Sequence, residues 1–165
     1  MRIITFTFLL LIFSLTALAQ TASVEADFNK NVKKYKREKY AVGEDASSGT
    51  DYVIYKSGKN IKKMRLIYSN CCDAPKVTDF YFEKGVLLLA VEGEITKKQY
   101  KSFASGSNLP LKNAKKLYFK DSKLVKWTEN GKEISSANPN WSKEESETLE
   151  SAKSYFEEYP ELKNM

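Results

Sequence analysis

Cys71 and Cys72 are adjacent and are the only two cysteines in the chain, and the chemistry of that spacing is a vicinal disulfide. Successive Cα atoms across a trans peptide stand about 3.8 Å apart, short of the roughly 4.4 Å that a relaxed disulfide needs. Closing the ring therefore strains the backbone and makes the bond comparatively reducible. The pair reads as a redox switch or a rigid loop, against the plainer reading of two thiols in a surface link. It cannot staple distant segments, so the fold has to rest on its core. Asp73 beside it does not complete a metal set, because the chain has no histidine and a zinc site takes about four ligands. The same absence excludes Ser-His-Asp and Cys-His catalysis.

Three further groups of residues could carry chemistry. Lys30, Lys33, Lys34 and Arg37, with Lys36 and Lys39 beside them, could grip an anionic lipid, a glycan or an acidic partner, although Glu25, Asp27 and Glu38 dilute the charge. Tyr81, Tyr118 and Trp127 sit on aromatic strands, and on an open sheet face they would make a platform for a peptide, a sugar or a partner's strand; helices over both faces would bury them instead. Glu92 and Glu94, two apart at a strand end, would share a face as paired carboxylates do, although exposed acids at a strand end are the commoner case. No S-x-x-K, P-loop, G-x-G-x-x-G or calcium-loop pattern is present, so the sequence points to a non-enzymatic binding protein without a cofactor. A net charge of +6 favours anionic surfaces without demanding nucleic acid.

The elements that must position these groups follow from periodicity. Arg2, the apolar run Ile3 to Leu18 and Ala17-Leu18-Ala19 read as a signal peptide over 1–19, cleaved before Gln20. The expected product is an exported protein, periplasmic, cell-surface or extracellular, with one α+β domain over 20–165 and no membrane span. Val24, Phe28, Val32 and Tyr35 recur at helical spacing, predicting an amphipathic helix from Val24 to Tyr40. Three units of aromatic strand, polar turn and aliphatic strand follow: Tyr52 to Ile61, Phe80 to Leu88 and Leu117 to Val125. They predict an antiparallel β-meander of about six or seven strands, the first unit one residue longer at its turn. Met64, Leu66 and Tyr68 alternate with Lys63 and Arg65, predicting a half-buried strand with a basic outer face. Asn130-Gly131 predicts a type I′ hairpin. Ser142 with Glu145 reads as a capping box, and Leu149, Ala152, Tyr155, Phe156 and Tyr159 predict a second amphipathic helix. The Cys71-Cys72 link and the long Gly93 to Asn113 excursion break the repeat, which marks them as places to look for function.

The units Phe80-Tyr81-Phe82-Glu83-Lys84-Gly85-Val86-Leu87 and Leu117 to Trp127, behind a signal peptide ending in Ala-Gln, resemble small exported proteins of Bacteroidota-type bacteria built from tandem aromatic-x-Phe hairpins. The resemblance spans about Tyr52 to Ile134. It implies a meander architecture and an exported compartment, and it brings no active site. The expected partner is a protein, peptide or glycan, bound through the sheet face or an edge strand.

Overall fold

The computed structural model describes residues 24–42, 49–68, 74–104 and 111–162. At its centre is an eight-stranded antiparallel sheet in which each strand pairs with its sequence neighbours. The strands are β1 (Lys36–Val42), β2 (Thr50–Ser57), β3 (Asn60–Tyr68), β4 (Lys76–Glu83), β5 (Val86–Glu94), β6 (Lys112–Lys120), β7 (Lys123–Glu129) and β8 (Lys132–Ile134). Helix α1 covers 24–31 and runs into a 3-10 turn, Val32–Lys34. Helix α2 (Lys97–Ala104) lies between β5 and β6, and α3 (Trp141–Leu162) follows β8.

The meander between two terminal helices matches the sequence reading, but the first helix is shorter and the sheet has one strand more. The backbone turns extended at Tyr35 (φ −90°, ψ 135°), and Lys36 to Val42 pair in register with Lys56 to Thr50. The helical spacing of Val24, Phe28 and Val32 is real; beyond it, strand pairing outweighs a periodicity resting on Tyr35 alone. The long Gly93 to Asn113 excursion contains helix α2.

The internal repeat is closer than it reads in sequence. In each of three hairpins the register shifts one position after a tyrosine, at Tyr55, Tyr81 and Tyr118, leaving Lys62, Leu88 and Val125 as the extra residues on the return strands. The copies have equal lengths on this alignment, so the additional turn residue expected in the first does not exist. Turn chemistry supports the reversals. Lys84-Gly85, Asp121-Ser122 and Asn130-Gly131 all have φ > 0 at both positions, as type I′ requires, whereas in the first hairpin only Gly58 does, at the first central position as in type II′.

The two faces of the sheet have separate cores. On one, a cross-strand row of Ile54, Met64, Phe80, Ala90, Leu117 and Trp127 lies beneath Leu149, Ala152, Tyr155, Phe156 and Tyr159 of α3. On the other, Phe28 of α1 packs on Val53, Tyr55, Tyr81, Leu89 and Val91. α3 starts at Trp141, ahead of the expected capping serine. Glu145 does not close a capping box: it accepts the Leu124 backbone N–H at 2.7 Å, pinning the helix to β7.

Candidate functional site: the loop end of the sheet

A meander sends alternate connections to opposite ends of the sheet. The three repeated hairpins turn at one end; the connections β1–β2, β3–β4 and β5–β6 leave from the other, where Tyr68, Lys76, Glu94 and Lys112 are successive cross-strand neighbours. Both segments that break the repeat, the Cys71-Cys72 link and the Gly93 to Asn113 excursion, therefore join the sheet at this end. Cys71 and Cys72 lie outside the described residues. Gly93 is required here, since a Cβ would stand 2.7 Å from that of Leu111 and 2.8 Å from the Lys112 carbonyl oxygen. Ile95 donates to the Pro75 carbonyl at 3.0 Å, tying the two connections together.

Beside α3 at this end is a cleft of about 200 Å³ whose lining includes Tyr68, Thr78, Glu92, Glu94, Asn113 and Lys115. The register puts Thr78, Glu92 and Lys115 on adjacent strands in one row, on the face that α3 covers. Lys115 bridges Glu92 (2.9 Å) and Glu144 of α3 (2.7 Å). Asn113, at φ 50°, donates to Glu94 at 2.9 Å. The Tyr68 hydroxyl meets that of Tyr155 on α3 at 3.0 Å, and burial followed by this bond pushes the Tyr68 phenol well above the usual tyrosine range. Glu144 and Tyr155 are about 16 Å apart along a helix, close to the ~14 Å that separates β3 from β6. The helix is therefore tied to two of the residues that line the cleft, Lys115 near its start and Tyr68 further along.

The opposite face holds a buried charge cluster that the sequence reading missed. Arg65 grips Asp79 through Nε and one terminal nitrogen, both at 2.7 Å, and Lys63 reaches the same carboxylate at 2.7 Å and the Tyr81 hydroxyl at 2.9 Å. Lys63 and Arg65 are 0% and 1% exposed, so their strand face is not the solvated one expected: α1 covers it, with the Lys63 ammonium 5.1 Å from the Phe28 ring centre. Burial lowers Lys63 to about 8, only partly offset by Asp79. Burial raises Asp79, but Lys63 and then Arg65 overcome that and hold it below the usual carboxylate range. The available signal was a lone charge within Val77-Thr78-Asp79-Phe80-Tyr81-Phe82, opposite Arg65 once the register is known.

The aromatic residues picked from sequence do not share a surface. Tyr81 is buried under α1 and Trp127 under α3, on opposite faces, because the helices take one face each; Tyr118 is half-buried on the α1 side. The Trp127 indole N–H has no hydrogen-bond partner among the described residues. The basic residues are exposed but not all helical: Lys30 lies on α1, Lys33 and Lys34 in the 3-10 turn and Arg37 on β1. Among the described residues no three carboxylates or thiols stand together as metal ligands would, and no helix is long and apolar enough to cross a membrane.

Comparison with protein-family models, curated proteins and solved structures found no match. The functional reading therefore rests on the chain's own geometry.

Proposed function

We propose that the chain is an exported, non-enzymatic binding protein that takes an extended segment of a partner as a further strand on β1. The observation that carries this is the edge itself. β1 is seven residues long and ends the sheet, and no described strand lies beyond it, whereas the opposite edge, β8, has three residues, too short to offer much pairing. β1 is also held from within. Glu38 accepts from Tyr40 and Tyr159 and is paired with Lys36 (3.0 Å) and Lys56 (3.5 Å), so the strand is set before a partner arrives.

The charge of the edge selects the partner. Two β1 strands paired about Lys39 would oppose Lys39 to itself, and pairing about Glu38 would oppose Glu38 to itself and Arg37 to Lys39; like charges across strands are destabilising. An acidic extended peptide meets Arg37 and Lys39, both exposed, with favourable sign, while main-chain bonds supply affinity. The test is fluorescence anisotropy with a labelled octapeptide of alternating Glu and Val. It should bind, weaken with salt and lose binding when its alternate amides are N-methylated. Equal binding by a Lys/Val peptide, or indifference to N-methylation, would exclude strand addition.

A second reading, attachment to an anionic lipid or glycan surface, is favoured by the exposure of Lys30, Lys33 and Lys34 on consecutive turns. Sedimentation with phosphatidylglycerol vesicles at low salt tests it; protein left in the supernatant removes it.

A further inference from the structure

We infer that the cleft at the loop end is a second binding site, for a neutral saccharide. Its charge balance is the first ground. Lys76 and Lys115 line it together with Glu92 and Glu94, their cross-strand neighbours, and Lys115 and Asn113 already bond to these two carboxylates. An anion or a cation entering would meet two side chains of each sign and would have to compete with those pairs. A ligand rich in hydroxyl groups does not, because each hydroxyl both donates and accepts. The carboxylates of Glu92 and Glu94 have lone pairs beyond those used by Lys115 and Asn113, and Thr78 adds a hydroxyl.

Support of these groups is the second ground. They come from four adjacent strands, β3 to β6, and α3 holds Tyr68 at one end and Lys115 at the other. A site on regular elements keeps its polar atoms in place without ordering them at each binding event. Asn113 is held at φ 50° while its side chain bonds Glu94, and the close approach at Gly93 fixes the crossing into β6. The ring of Tyr68 at the margin offers an apolar surface of the kind that packs on the C–H face of a sugar. A volume of about 200 Å³ is below the roughly 300–1,000 Å³ usual for small-molecule sites and limits the part held to about one sugar ring, so a longer chain would lie across an open mouth.

The experiment is an NMR amide titration of the whole exported chain, 20–165, with maltotriose, cellotriose and triacetylchitotriose, and with a glucuronate trisaccharide and a chitosan trimer as charged counterparts. At least one neutral sugar is expected to shift Tyr68, Thr78, Glu92 to Glu94 and Asn113 together while leaving β1 unmoved. The proposal is overturned if no neutral sugar acts at millimolar concentration, if only a charged one does, or if the shifts lie elsewhere. Glu92→Gln, which removes a charged acceptor, and Tyr68→Leu, which removes the ring face, are each expected to weaken binding about tenfold. Either variant binding as well as the parent would overturn that residue's role, and unchanged circular dichroism confirms that each is folded. The peptide assay on β1 gives its answer independently of this one.

Discussion

The rings of Tyr55 and Tyr81 meet Phe28 edge-on from two strands, at centroid distances of 5.2 and 5.4 Å and interplanar angles of 90° and 85°. Both tyrosines occupy the same position in their hairpins, so the repeat itself builds the socket that receives α1. Edge-to-face pairs contribute about 0.5–1.5 kcal/mol each beyond area burial, and Phe28 is 5% exposed.

Phe28→Ala is accordingly expected to lower stability in urea unfolding by about 3–5 kcal/mol, and to raise amide hydrogen exchange over 24–31 more than in β3 and β4. A loss below about 1 kcal/mol would mean that the ring is not what holds α1 down.

The Lys63, Arg65 and Asp79 cluster has one cation too many for its single carboxylate. Asp79→Asn leaves two buried cations facing each other and should cost about 3–5 kcal/mol. Lys63→Met keeps the Arg65–Asp79 fork and removes the excess charge, so it should leave stability equal or higher at pH 7. The sign with pH follows. With Lys63 at about 8 in the folded chain and about 10.4 unfolded, the unfolded state binds more protons between those values. The parent's stability should therefore rise through that window as the cost of a charged Lys63 disappears. Denaturation midpoints measured at intervals across it should climb for the parent relative to the variant, since the tyrosines whose values folding raises contribute equally to both.

Glu38 behaves in the opposite sense at low pH. Its hydrogen bond from Tyr159, opposed by burial and joined by Lys36, Tyr40 and Lys56, lowers it to about 2. The stability it contributes is present above the ordinary carboxylate value and is lost as pH falls toward about 2. Tyr159→Phe should flatten that decline in acid titrations followed by near-ultraviolet circular dichroism. An unchanged slope would assign acid sensitivity to other carboxylates.

The third hairpin turns on Asp121 and Ser122, both non-glycine residues with positive φ (51° and 58°), where the equivalent turn after β4 uses Gly85 at its second position. Ser122→Gly should stabilise by about 1 kcal/mol, since the left-handed region costs a serine roughly 1–2 kcal/mol and glycine recovers most of it. Calorimetry should register this as a rise of about 2–4 °C in Tm.

The hairpins were legible in the sequence because their turns depend on local chemistry: Lys84-Gly85 and Asn130-Gly131 need no distant partner to favour a positive φ. β1 was not, because Lys36 to Val42 become a strand only by pairing with β2, and Val24, Phe28 and Val32 upstream set up a helical expectation that runs on through Tyr35. Lys63 and Arg65 look solvated along their own strand; only Asp79 on the next strand and Phe28 on α1 make burial affordable. The cleft was half visible. Glu92 and Glu94 were evident as a pair and the two interruptions as candidates, but their meeting with Tyr68, Asn113 and Lys115 depends on a register set across four strands.

The unbroken strand order also bears on how the sheet assembles. With every ladder closed between sequence neighbours, contact order is low for a β-rich chain and the loop-closure entropy of each step is small. Strands can be added one at a time in the order in which the chain is released, each on an edge already present. Only α1 must wait: its socket spans β2 and β4, and its Glu25 pairs with Lys116 of β6, so it seats fully only once the sixth strand has arrived.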